Sequence, residues 1–131
     1  MQKPLLLDTQ AFIHAVKDRN PFPKKARTQL ESLDRSVFLS TASIWEMGIK
    51  IPLGKLDFGL PLESVVERAL AELGLSLLSV TPRHIYRTMS LDAIHRDPFD
   101  RLIAAQALEE GMTIVSSDKI FDRYRVERVW N

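Results

Sequence analysis

Pro4-Leu5-Leu6-Leu7-Asp8-Thr9-Gln10-Ala11-Phe12 is the stretch that decides how this chain folds. A short apolar run ends abruptly in an acid and a hydroxyl residue. It reads as a buried strand followed at once by a helix start. Ala11, Phe12, Ala15 and Val16 then recur at helical spacing. A strand leading into a helix across one acid is the opening of an α/β fold.

The same grammar returns further along. Asn20-Pro21-Phe22-Pro23 breaks the first helix, and Lys24 to Leu33 reads as a second helix with Ala26, Leu30 and Leu33 on one face. Val37-Phe38-Leu39-Ser40 is a second strand. Thr41 or Ser43 then caps a helix carrying Ile44, Trp45, Met47, Gly48 and Ile51. A loop from Pro52 to Leu60 leads to Pro61 at a helix start, with Leu62 to Leu73 helical and Gly74 as its stop. Leu75 to Val80 is a third strand, and Thr81-Pro82 opens a helix to about Met89. Asp97-Pro98-Phe99-Asp100 begins a strong helix that Gly111 ends. Met112 to Val115 is a fourth strand running into Ser116-Ser117-Asp118. A short turn or helix covers Lys119 to Tyr124, and Val126 to Trp130 is a last strand. Alternating strands and helices predict a mostly parallel sheet covered on both faces, with right-handed crossovers.

The chain of 131 residues reads as a single domain, 1–131, long enough to bury a core. Its composition, 45 % apolar and 27 % charged, is that of an ordinary globular chain. There is no cysteine, which excludes disulfides, thiolate zinc sites and a thiol nucleophile. The N-terminus reaches an acid after three leucines, too soon for a secretory signal, and no run approaches a membrane span. A cytoplasmic protein without a membrane partner is the expectation. The net charge is only +1.

Four acids stand where the predicted elements begin or end: Asp8, Glu46, Asp100 and Asp118. In a parallel sheet ligands bind outside the carboxyl ends of the strands. The topology therefore gathers these carboxylates at one edge, where they repel one another. A divalent cation is the simplest thing that holds them, and oxygen-only ligation points to Mg²⁺ or Mn²⁺. Without the four acids the remaining charge is +5, a mildly basic surface around an acidic hole, which also suits an ordinary surface.

Each acid has a plainer explanation. Asp8 can cap the first helix. Ser43-Ile44-Trp45-Glu46 fits a capping box, and Glu46 precedes Lys50 by four residues. Asp97 is a natural N-cap that leaves Asp100 near the positive end of the helix dipole, and Asp118 can serve a turn. Scattered caps would not converge on one sheet edge. Asp122 is held in reserve near Asp118. His14, His84 and His95 show no zinc spacing and read as surface or partly packed residues. Trp45 and Trp130 read as core. Phosphate-binding glycine loops and a Gly-x-Ser-x-Gly elbow are absent from the sequence.

Leu-Leu-Leu-Asp-Thr at 5–9, Ser-Ile-Trp-Glu-Met-Gly-Ile-Lys at 43–50, His-Arg-Asp-Pro-Phe-Asp-Arg-Leu-Ile-Ala-Ala-Gln-Ala-Leu at 95–108 and Thr-Ile-Val-Ser-Ser-Asp at 113–118 resemble the PIN domain. Phe121 and the final Val-x-x-Val-Trp add to the likeness, which covers nearly the whole chain and is closest to stand-alone toxins of the VapC type. The resemblance implies a three-layer α/β/α sandwich and a Mg²⁺- or Mn²⁺-dependent ribonuclease. It places the family's acidic quartet on Asp8, Glu46, Asp100 and Asp118, with Thr9 as the hydroxyl residue after the first acid and Asp97 as an extra acid. It also implies a small antitoxin that blocks the cleft. A homodimer is a further expectation.

The chemistry expected is metal-assisted hydrolysis of an RNA phosphodiester, with Asp8 and Asp100 as principal ligands and Glu46 and Asp118 completing the site. In-line attack by water gives a 5′-phosphate and a 3′-hydroxyl. Lys50, Arg96, Arg101 and Lys119 are the nearest candidates for RNA-backbone contacts. Rival readings are a catalytically inactive binding module, a housekeeping nuclease of the same fold, and a receiver- or phosphatase-like phosphotransfer domain. The last wants a second acid beside Asp8, where this chain has Thr9-Gln10.

Overall fold

The structure is a computed structural model that describes residues 2–92 and 97–131. Five strands, β1 (Leu5–Leu7), β2 (Val37–Ser40), β3 (Leu75–Leu78), β4 (Thr113–Val115) and β5 (Arg128–Val129), form one sheet. Their order is β3-β2-β1-β4-β5, and every pairing is parallel. The chain winds outward from β1 through β2 to β3, then crosses to the other side of β1 for β4 and β5. The order thus reverses between β1 and β4, and in open parallel sheets ligands bind at such a switch point, outside the carboxyl ends of the strands.

Alternation along each strand feeds two apolar layers. Leu5 and Leu7 join Val37, Leu39 and Val115 on one face. Helices α1 (Thr9–Lys17), α2 (Lys24–Leu30), α3 (Thr41–Lys50) and α4 (Leu62–Leu73) cover it through Phe12, Ala26, Met47 and Val66. Leu6 and Ile114 point the other way, against Ile103 and Ala107 of α6 (Pro98–Glu110) and Phe121 of α7 (Ile120–Arg123). α5 (Pro82–Thr88) packs outside on α6. This is the three-layer α/β/α architecture, and it explains why β1 is three leucines instead of an alternating pattern. Each fully buried leucine contributes about 1.5–3 kcal/mol. Gly74 and Gly111 end α4 and α6 at φ of 65° and 67°, as the sequence predicts.

Some expectations need correction. α2 stops at Leu30, and Leu33 lies fully in solvent. β3 ends at Leu78 and β5 is two residues long. Neither Thr41 nor Ser43 caps α3. β2 runs into α3 without a loop, so Ser40 at the strand end is the N-cap and accepts from Ala42 N–H at 3.0 Å. Thr41 instead accepts from Val80 N–H at 3.2 Å. The capping box on Ser43 is therefore absent, and Glu46 lies in the second helical turn. Trp130 packs edge-on against Phe22, but Trp45 is 64 % exposed and is not core. His84 is fully buried: Thr81 N–H donates to its Nδ1, and its Nε2 meets Glu110 at 2.8 Å. His95 and Arg96 lie outside the described residues. Among the described residues no helix is long and apolar enough to cross a membrane.

Candidate active site

Hydrogen bonds around Asp8 join the carboxyl ends of β1 and β4. Its backbone N–H donates to Val115 O at 3.2 Å. Its carboxyl is the N-cap of α1: Oδ1 accepts from Ala11 N–H at 2.7 Å. The cap uses only one carboxylate oxygen. Oδ2 accepts a short hydrogen bond from the Ser116 hydroxyl, one residue past β4. Capping and a role in a site are thus compatible in one side chain.

Ser116 ties a second acid to the first. Its Oγ accepts the backbone N–H of Asp118 at 2.9 Å. Asp118 is exposed, and its Oδ1 accepts from Ile120 N–H at 2.9 Å to begin α7. Ser116 is fully buried, so water does not compete for its bond to Asp8. The sequence reading missed Ser116. Its one signal was a small hydroxyl directly behind three buried strand residues.

Glu46 approaches from α3. Its carboxyl is buried, with Oε2 receiving the Lys50 ammonium at 2.7 Å. Oε1 is buried without a hydrogen-bond partner. On the same helix, the buried Ser43 hydroxyl accepts from Thr9 at 2.9 Å, locking the start of α1 to α3. Thr9 therefore holds neighbouring helices together and makes no bond to Asp8.

Burial pushes the Asp8 carboxyl above its ordinary value of 3.8. Hydrogen bonds from Ser116 and Ala11 pull it back, and the negative charges of Asp118 and Glu46 push it further up. Asp8, Glu46 and Asp118 thus share one electrostatic neighbourhood. Asp100 lies in the first turn of α6. The Phe99 ring meets Trp45 at 5.2 Å, so that turn abuts the segment of α3 that carries Glu46.

The other predicted residues separate by role. Asp97 caps α6, accepting from Phe99 N–H at 2.9 Å and Asp100 N–H at 3.3 Å. Asp122 is gripped by both sides of the Arg128 guanidinium, at 2.9 and 3.1 Å, which holds its carboxyl below the ordinary value. Arg101 donates to the carbonyls of Thr88, Leu91 and Asp92, so its guanidinium serves the fold. Lys50 is engaged with Glu46. Lys119 is exposed beside Asp118.

The sequence from residue 5 to residue 127 matches the model of the PIN domain family. The chain belongs to the PIN domain family. No curated protein sequence is a significant match to it. Solved structures share the fold of this PIN domain at low identity. VapBC2 from Rickettsia felis, bound to a DNA fragment from its promoter, superposes with a TM-score of 0.73 at 18 % identity, over 97 % of this chain and 98 % of that one. DNA-bound VapBC from Salmonella typhimurium gives 0.68 at 20 % identity, over 97 % and 96 %. VapC20 from Mycobacterium tuberculosis, described as a toxin cleaving the sarcin-ricin loop, gives 0.62 at 15 % identity, over 97 % and 99 %.

The donor chemistry of the site fits a hard divalent cation. It offers only oxygen, one carboxylate oxygen is buried and unpartnered, and Asp8 is under negative pressure from two neighbours. As placed, no three Asp, Glu or His side chains among the described residues stand close enough to enclose an ion.

Proposed function

We propose that this PIN domain is a Mg²⁺- or Mn²⁺-dependent endoribonuclease and the toxin of a toxin–antitoxin pair. The observation that carries the reading is the buried, unpartnered Oε1 of Glu46, in the electrostatic neighbourhood of an Asp8 carboxyl that burial pushes up and the charges of Asp118 and Glu46 push further. A buried charged oxygen without a partner is costly, and sites that tolerate one are commonly built for a ligand. The toxin reading draws on similarity to proteins described as VapBC complexes and as a toxin cleaving the sarcin-ricin loop.

Asp8, Glu46, Asp100 and Asp118 would hold the cation, directly or through water. When bound, the cation would supply positive charge against the scissile phosphate and acidify the attacking water. Ser116 fixes the Asp8 carboxyl and the Asp118 backbone. Thr9 keeps α1 and α3 in register through Ser43, and Asp97 holds the first turn of α6 that presents Asp100. Lys119, exposed next to Asp118, would contact an RNA phosphate. A small antitoxin covering the acidic crevice is the expected partner, and a homodimer is compatible with the reading.

Purified protein should cleave single-stranded RNA with Mg²⁺ or Mn²⁺, leave 5′-phosphates, and stop in EDTA. Undiminished cleavage in EDTA by metal-free protein refutes it. The rival reading of an inactive binding module draws on the spacing of the acids, no three of which, among the described residues, stand close enough to enclose an ion. A Mn²⁺ titration showing no binding at millimolar metal would favour that rival.

A further inference from the structure

Glu46 is the one acid of α3, and one cation attends it. Lys50 Nζ lies 2.7 Å from Oε2, with the Lys50 side chain 40 % exposed and that of Glu46 7 % exposed. Among the described residues no other ion pair involves Asp8, Glu46 or Asp118. The ammonium therefore stands as the counter-charge to Glu46, whose own charge reaches Asp8.

The kind of pair matters. Asp122 and Arg128 show what a fixed ion pair looks like in this fold. Arg128 is largely buried, grips both carboxylate oxygens and also donates to Ser116 O at 3.0 Å. A planar guanidinium so held does not leave easily. Lys50 differs in each respect. It is a point charge on a flexible stem, makes one contact with Glu46, and can swing into water by rotating its own bonds. The partner oxygen, Oε1, stays unmatched beside it.

We propose that Lys50 is an exchangeable counter-ion, which neutralises Glu46 when no divalent cation is bound and competes with that cation, so that it sets the metal affinity of the site. The inference rests on the metal-dependent reading above and replaces an RNA-contact role for Lys50. A cation shared with the Glu46 carboxyl would lie within a few ångströms of the ammonium. The two like charges repel, so part of the cation's binding energy is spent in turning Lys50 out. The same lysine stabilises the metal-free protein, because an uncompensated buried carboxylate is strongly unfavourable.

The test is a Mn²⁺ titration by calorimetry on EDTA-stripped protein, with melting curves alongside. Lys50→Met should bind Mn²⁺ roughly tenfold more tightly than the parent, from the loss of one nearby positive charge. It should melt lower without metal, and Mn²⁺ should raise its melting temperature more than the parent's. Lys50→Arg, which keeps the charge, should show no gain in affinity. Lys50→Gln serves the same comparison if Lys50→Met does not fold. In a Glu46→Gln background, Lys50→Met should no longer change Mn²⁺ affinity. A folded Lys50→Met that binds Mn²⁺ as the parent does, or more weakly, overturns the proposal. Unchanged Mn²⁺ binding with weakened RNA binding in EDTA would return Lys50 to a phosphate contact. A parent that binds no Mn²⁺ at millimolar concentration removes the metal reading itself.

Discussion

Ser116→Ala deletes one oxygen, and the structure predicts what that oxygen is worth. The hydroxyl donates to Asp8 Oδ2 and accepts the Asp118 N–H, inside a fully buried position. A hydrogen bond to a charged group contributes about 1.5–3 kcal/mol net. The Asp118 N–H lies at an exposed residue, where water can replace its acceptor, so it adds little. The metal-free variant should therefore lose about 2 kcal/mol at pH 8, or about 7 °C in melting temperature for a chain of this length. The loss should depend on pH. Burial raises Asp8 above 3.8 and the Ser116 bond opposes that rise, so the variant's Asp8 lies higher than the parent's. A raised acid contributes stability that is fully present below 3.8 and lost as pH rises through its folded value. On acidification the variant regains more than the parent, and the gap should narrow toward that of a neutral hydrogen bond, about 1 kcal/mol. In an Asp8→Asn background the gap should be about 1 kcal/mol at every pH. Urea unfolding in EDTA at stepped pH measures all of this. A loss independent of pH, and equal in both backgrounds, would show that Ser116 only packs.

Metal-free Asp8→Asn should be more stable than the parent at pH 8, because it keeps an acceptor for Ala11 N–H and removes a raised, crowded charge. Thermal melts should show that advantage shrinking as pH falls through the Asp8 titration. Arg128→Ala should cost about 1 kcal/mol, since the Asp122 side of the pair is half exposed. Asp122 is lowered by Arg128, so its contribution is present above 3.8 and lost as pH falls through its folded value. Carboxyl NMR titration should show Asp122 returning toward 3.8 in the variant. Asp100→Ala should abolish RNA cleavage and blunt the rise in melting temperature with Mn²⁺. Intact cleavage with a stability loss of about 0.3–1 kcal/mol would make Asp100 a helix-dipole residue and nothing more.

Much of the architecture is legible because its signals are local. Leu5 to Leu7, Gly74, Gly111 and Pro98 each speak through backbone physics acting within a few residues. The parallel order follows from the alternation of strands and helices. What escaped depends on contacts that are distant in sequence or have no local competitor. Ser40, Thr41 and Ser43 are three hydroxyls in four positions, and any of them can cap a helix. The absence of a loop between β2 and α3 chose Ser40, while Val80 and Thr9 claimed the other two. Trp45 reads as core by composition, yet its neighbour Glu46 is the residue that turns inward. Ser116 meets Asp8 across 108 positions, which no periodicity reveals.

The placement of charge explains why the acids can gather at all. Parallel packing brings the ends of β1 and β4 together, and the fold must then keep carboxylates near one another, with Asp8 and Glu46 buried. It does so unevenly. Asp8 has two hydrogen bonds from groups that cannot move far, a helix N–H and a buried hydroxyl. Asp118 faces solvent and needs less. Glu46 has neither shelter. It is buried, one oxygen is unpartnered, and the other relies on a lysine that solvent can reclaim. The fixed supports sit on the strand side and the exchangeable one on the helix side. An incoming cation would therefore meet its least-satisfied oxygen on α3. Changes at Ser116 should act mainly on folding stability, whereas changes at Lys50 should act mainly on the difference between the metal-free and metal-bound protein. Parallel melts of both variants with and without Mn²⁺ would separate these two effects, and equal Mn²⁺ responses in the two would contradict this division of labour.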